Sequence, residues 1–180
     1  MTDSITFDDY TITVVQGSVD TALAGEIATF WLANGALADP QEARRRVAEV
    51  VCVARNRARE IVGLNTVYLS TLRRPPQAYY LYRAFIRAAD RRLGLAKCMH
   101  YLCYEHLRAG TLLRNILGVA LVVENAKFTR APGQAYLERC GGRHIGNDQN
   151  GRHVWTFDFD DQPLNRKVAA VLGVGGQGRS

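Results

Sequence analysis

Leu81-Tyr82-Arg83-Ala84-Phe85-Ile86-Arg87-Ala88-Ala89-Asp90-Arg91-Arg92-Leu93-Gly94-Leu95-Ala96-Lys97 is the stretch whose reading decides the fold. Its first half, with Ala78 to Tyr80 before it, is tyrosine-rich and apolar and reads as a strand that ends near Ile86. Asp90 to Ala96 is a tight connection. From Lys97 to Leu107 the apolar residues recur at helical spacing, with Met99, Leu102, Cys103, His106 and Leu107 on one face. The predicted helix begins at about Ala96 and ends at Gly110. A helix N-terminus exposes unpaired backbone N–H groups and a partial positive charge, so it favours anions. Gly94 and Ala96 are small enough for a pyrophosphate to approach the backbone, and Arg87, Arg91 and Arg92 add charged donors. The turn reads as a phosphate cradle. It lacks the lysine of the GxxxxGK[ST] pattern, which argues against a nucleotide triphosphatase.

Outward from that turn, the pattern is of alternating strands and helices. Thr11 to Val15 is β-branched and predicts a strand. Asp20 to Ala33 predicts a helix with an apolar face at Leu23, Ile27, Phe30 and Trp31, stopped by Asn34-Gly35. Asp39 as cap and Pro40 at the first helical position start a second, short helix that carries Arg44, Arg45 and Arg46. Val50 to Ala54 and Ile61 to Thr71 predict a β-hairpin, and Arg73-Arg74-Pro75-Pro76 breaks the chain after it. On the other side, Ile116 to Val123 is a continuous apolar run that fits a covered central strand. Thr129 to Arg139 predicts a helix closed by Gly141-Gly142, and Arg152 to Phe159 alternates like a strand. The implied class is α/β: a mixed, mainly antiparallel central sheet with helices on both faces. The pattern predicts one domain over residues 1–165 and a tail over 166–180.

Composition sets outer limits. The 180 residues are 47% hydrophobic and 22% charged, as in an ordinary globular domain. No apolar stretch approaches the roughly 20 residues that span a bilayer. Nothing at the N-terminus resembles a signal peptide, so a cytoplasmic protein without membrane partners is the default expectation. The net charge of +6 comes almost wholly from arginine, the only lysines being Lys97, Lys127 and Lys167. Arginine's planar fork suits phosphate, whether on nucleic acid, on a membrane surface or on a small ligand, and charge alone does not choose. The four cysteines show no CxxC spacing and read as reduced thiols.

Arg91, Arg92-Leu93, Gly94, Leu95, Ala96 matches the pattern Gln or Arg, two residues, Gly, one residue, Gly or Ala, between a strand and a helix. In this it resembles the GCN5-related N-acetyltransferases (GNAT), over about residues 10–160 by element order. The resemblance implies the acyl-CoA N-acyltransferase fold and acetyl-CoA as cosubstrate. It implies that the backbone of Phe85, Ile86 and Arg87 pairs with the pantetheine arm as an added strand does. The N–H groups from Arg92 through Leu93, Gly94, Leu95 and Ala96 to Lys97 would hold the pyrophosphate. The Ile86 amide would polarise the thioester carbonyl. An amine then attacks directly and the leaving thiolate takes a proton. Tyr136, in a region close to the family's Tyr, three residues, Gly pattern, is the candidate acid; here the glycine, Gly141, comes one residue late. Asn125, or Thr129 in its place, corresponds to the coenzyme-binding asparagine. The strand before the turn holds no glutamate, so the base is either Glu124 or a water chain through Tyr80 or Tyr82; a solvated strand end also accounts for Glu124.

The acceptor stays open among polyamines, aminoglycoside-like compounds, amino acids, protein amines and aminoacyl-tRNA. If phosphates neutralise Arg87, Arg91 and Arg92, the remaining charge gives no reason to require nucleic acid. A homodimer is compatible with the sequence. Two rivals are a non-catalytic coenzyme A thioester module and a basic RNA-binding protein. Gly173 to Gly178 matches GxGxxG, but no helix follows, so dinucleotide binding is not expected. Cys103 and His106 share a helix face without further ligands, so no metal site is expected.

Overall fold

A computed structural model describes residues 3–72, 76–110 and 115–159. The chain divides into two compact units, Met1–Val67 with Ala84–His106, and Tyr68–Arg83 with Leu107–Ser180. The strands are β1 (Ser4–Phe7), β2 (Tyr10–Val14), β3 (Val50–Arg55), β4 (Ile61–Leu72), β5 (Gln77–Ile86), β6 (Ile116–Val122), β7 (Arg143–Asn147) and β8 (His153–Asp158). The helices are α1 (Thr21–Ala33), α2 (Pro40–Arg46), α3 (Leu93–Gly110) and α4 (Ala131–Arg139). Hydrogen-bonded neighbours run β1-β2-β3-β4-β5-β6-β8-β7. β5 with β6 is a parallel pair, while β1–β2, β2–β3, β3–β4, β6–β8 and β7–β8 are antiparallel. This is the mixed, mainly antiparallel α/β sheet that the sequence predicts.

In the first unit the helix starts are chemically marked. Asp20 accepts from the Leu23 amide at 2.8 Å and caps α1, and Asp39 accepts from the Gln41 amide at 2.9 Å and caps α2. The apolar face of α1 buries Ile27, Phe30 and Trp31 against Val50, Val53, Ile61 and Leu64. Those strand residues share one face of the β3–β4 ladder, in which Val53 opposes Leu64. Cys52 opposes Asn65 and therefore points to the other face. There the fully buried Asn65 accepts from the Cys52 amide at 2.9 Å and donates to the Met99 carbonyl of α3 at 3.1 Å. Helices thus cover both faces of this part of the sheet. A single buried amide, satisfied from β3 and from α3, fixes the depth at which α3 lies on it.

In the second unit β6 lies between β5 and β8. Val119 and Ala120 are fully buried. Gly118 is required there, because a Cβ would run into the Phe157 carbonyl and the Asp158 Cα of β8. Trp155 and Phe157 share a face of β8, and Gly142, just past the end of α4, lies against both rings. The Tyr79 hydroxyl donates to Asp158 at 3.1 Å, tying β5 to β8 across β6.

Three departures from the sequence reading have physical causes. β1 was not predicted: it is four residues long and is made a strand by pairing with β2 through the two-residue turn Asp8-Asp9, with Asp8 at φ 48°. β7 holds one large apolar residue, Ile145, and owes its extended form to the ladder with β8. α3 begins at Leu93 rather than near Ala96, so Gly94 lies inside its first turn. The turn around Arg73 to Pro75, the tail over 166–180 and the GxGxxG match lie outside the described residues.

Candidate functional site

The junction of β5 and α3 is built entirely within the first unit. β5 ends at Ile86 and a 3₁₀ turn, Ala88–Asp90, carries the chain into α3. The Arg87 amide donates to the Val62 carbonyl of β4 at 2.8 Å. Successive residues of a strand direct their amides to opposite edges, so the Ile86 amide faces the edge away from β4. The β5–β6 ladder pairs Ala78 to Tyr82 and stops at Tyr82 with Leu121, short of Ala84 and Ile86. Phe85 turns its ring into the core, edge-on to Phe30 at 5.8 Å.

The first helical bond of α3 runs from the Ala96 amide to the Arg92 carbonyl at 3.2 Å. Arg92 is therefore the cap residue. The amides of Leu93, Gly94 and Leu95 precede any intrahelical acceptor, and they form the donor end of the helix. The expectation for Ala96 and Lys97 is corrected by this earlier start: their amides lie within the helical ladder. Arg92 and Arg91 are exposed. Arg91 donates from Nε to the Ile86 carbonyl at 3.1 Å. The Arg92 guanidinium is pushed up from its ordinary pKa, first by a hydrogen bond to the Tyr10 hydroxyl.

Arg87 plays a different part from the phosphate donor expected of it. Its amide is committed to β4, and its guanidinium meets Asp90 at 2.6 Å and Glu60 at 3.6 Å. The Asp90 carboxylate raises its pKa further, so it stays charged and paired. Asp90 is 8% exposed and also accepts from the Tyr10 hydroxyl at 3.0 Å. A buried carboxylate is tolerable only with such partners. Gly94 is also used differently. A Cβ there would fall within the ring of Phe7, which supplies all three nearest atoms. The sequence reading gave the small side chain to an approaching phosphate; the structure gives that space to Phe7.

The remaining candidates lie in the second unit. The exposed Glu124 accepts from Arg152 at 3.0 Å. Arg152 also pairs with Asp148 at 2.7 Å, which lowers the Asp148 pKa and raises its own. The Asn125 side chain accepts from the Lys127 amide at 3.0 Å, and the Thr129 hydroxyl donates to the Ala126 carbonyl at 2.9 Å. Both side chains thus shape the loop into α4. Tyr136 is half-buried on α4, with its ring 5.9 Å from that of Phe128. Tyr80 and Tyr82 are half-buried on β5.

Sequence reasoning missed Phe7, Tyr10, Asp90 and Asn65. A signal for the first two was present: Ile5, Phe7 and Tyr10, Ile12 flank Asp8-Asp9 with strand alternation on either side. Nothing in the sequence links them to residues 90–94. Among the described residues, no group of three or more His, Cys, Asp or Glu could hold a metal ion. No described helix is long and apolar enough to cross a membrane.

No family model matches the sequence, and no curated protein matches it. Solved structures do resemble the fold. A ribosomal-protein-S5-alanine acetyltransferase from Vibrio fischeri superposes with a TM-score of 0.58 at 14% identity, over 88% of this chain and 97% of that one. RimJ from Mycobacterium smegmatis, in complex with CoA-disulfide, gives 0.55 at 13% identity over 90% and 88%. An acetyltransferase of the GNAT family from Streptococcus pneumoniae gives 0.53 at 12% identity over 83% and 99%. The chain has the GNAT acetyltransferase fold.

Proposed function

We propose that this protein is an N-acetyltransferase that moves the acetyl group of acetyl-CoA to a primary amine. The observation that carries the reading is the junction of β5 and α3. A strand edge facing away from β4 at Ile86 leads into a helix whose first three amides have no acceptor in the helix, flanked by exposed Arg91 and Arg92. A pyrophosphate suits that donor end, with the two arginines adding charge-assisted bonds. The pantetheine arm suits the Ile86 edge. The likeness to RimJ, whose solved structure holds a CoA-disulfide, is consistent with it.

The chemistry then needs little from side chains. The amine nitrogen attacks the thioester carbonyl carbon and forms the C–N bond. The Ile86 N–H donates to the oxygen as it gains charge. The C–S bond breaks, the thiolate takes a proton and the amine gives up its extra one; the sequence resemblance implies Tyr136 as the acid and Glu124 or water as the base. Replacing Tyr136 by Phe is expected to lower kcat by about 100-fold while leaving coenzyme binding unchanged.

One observation favours a second reading, a coenzyme A thioester holder without transfer. Glu124 is exposed and engaged by Arg152, which leaves it a poor base. Calorimetric titration with acetyl-CoA, followed by mixing with a panel of amines and measuring free thiol, separates the readings. Binding with thiol release supports transfer. Binding without release across the panel supports the holder. No binding removes both.

A further inference from the structure

The β1–β2 hairpin reaches the coenzyme turn at two points, neither of them used by the chemistry above. Phe7, the last residue of β1, lies with its ring against Gly94 in the first turn of α3. Tyr10, the first residue of β2, is 7% exposed and donates its hydroxyl to the buried Asp90 carboxylate at 3.0 Å. The Tyr10 hydroxyl is also the first cause that raises the pKa of Arg92. A chain of polar contacts runs from Tyr10 to Asp90 and on to Arg87 and Glu60. It flanks the segment that presents the Leu93, Gly94 and Leu95 amides.

We propose that this hairpin, through Phe7 and Tyr10, is the positioning element of the coenzyme turn: it fixes the first-turn amides of α3 for the pyrophosphate. This rests on the reading of the turn as a coenzyme site. Phe7 acts as a wedge behind the helix start, and Gly94 is glycine to admit the wedge. Tyr10 acts as a tie, giving its proton to Asp90 at the start of the turn. Neither residue touches the reacting atoms. Their effect falls on the nucleotide end of the thioester and leaves the acyl end unaffected.

The test uses the full-length protein and two thioesters, acetyl-CoA and acetyl-pantetheine, the second lacking the nucleotide. Tyr10→Phe removes one oxygen and keeps the packing. It is expected to weaken coenzyme A binding by about 10-fold, with a matching rise in KM for acetyl-CoA and little change in kcat. With acetyl-pantetheine, wild type and Tyr10→Phe should give the same kcat/KM. Unchanged coenzyme A affinity overturns the inference, and so does an equal loss with both thioesters, which marks a general structural role. A wild type that binds no coenzyme A overturns the proposed function and this inference with it. A second pair of variants stands independently of Tyr10. Gly94→Ala should lose affinity by about 10-fold or more, because the new methyl drives Phe7 outward, and Phe7→Ala in the same chain should restore most of it. An equal loss from Gly94→Ala with and without Phe7 assigns the glycine to the ligand and overturns the wedge.

Discussion

Two helices of this protein begin with a glycine in their first turn, and the two starts are built in opposite ways. At α3 the space beside Gly94 is filled by a side chain, the Phe7 ring, and the amides of Leu93, Gly94 and Leu95 have no acceptor in the helix. At α4 the space beside Gly133 is filled by backbone, the Lys127 carbonyl and the Phe128 Cα. There Pro132 has no N–H, and the Gly133 and Gln134 amides both donate to the Arg130 carbonyl, at 2.9 and 3.0 Å. A helix start attracts anions only while its donors are open. α4 has bonded its donors locally, whereas α3 has been propped open from behind. The difference shows why a dipole argument from the sequence of a helix needs the hydrogen bonds of its first turn before it identifies a binding site.

The sharpest way to break the comparison is to add one methyl at each start. Gly133→Ala meets backbone that cannot move aside, and is expected to destabilise the protein by about 3–4 kcal/mol, read as a lower urea midpoint. Gly94→Ala meets a ring that can swing outward, and should cost about 1–2 kcal/mol of stability by the same measurement. Equal costs would remove the distinction between side-chain and backbone support. Between these, Asn65→Leu strands the Cys52 amide and unties α3 from the sheet, with an expected loss of about 2–3 kcal/mol.

Acid should act on α3 as well. Burial pushes His100 down from about 6.5 to about 4. The unfolded chain therefore binds the extra proton first, and stability should fall as pH drops from about 6.5 to about 4, by on the order of 3 kcal/mol. His100→Gln should flatten that limb of the urea midpoint against pH. The smallest effect belongs to the second unit's surface. Glu124→Gln removes one exposed ion pair with Arg152, and stability should change by no more than about 0.5 kcal/mol.

Much of the scaffold was legible because it is local. Asp20, Asp39 and Pro40 announce two helices through caps that need no distant partner. The apolar runs of β3 and β4 announce a hairpin. The β5–α3 junction showed as strand, glycine and helix in one short segment. What stayed hidden was non-local. Glycine is a weak helix former, so Gly94 read as a turn residue; inside α3 it lies against a ring contributed by residue 7. Arg87 read as a free phosphate donor because Glu60 becomes its neighbour only through the fold, and Asp90, three residues on, meets it only once Ala88–Asp90 forms its 3₁₀ turn. The side chains of Asn125 and Thr129 were equally available on paper, and both are engaged within their own loop.

The bond from Tyr10 to Asp90 joins residues 80 positions apart in the chain. During synthesis at about 5–20 residues per second, the hairpin waits roughly 4–16 s on the ribosome before its carboxylate partner is made. Until then Tyr10 has no Asp90 to donate to and Phe7 no Gly94 to press on. β1 and β2 thus find their places at the β5–α3 turn only once that turn has been made, so the turn and its support form together.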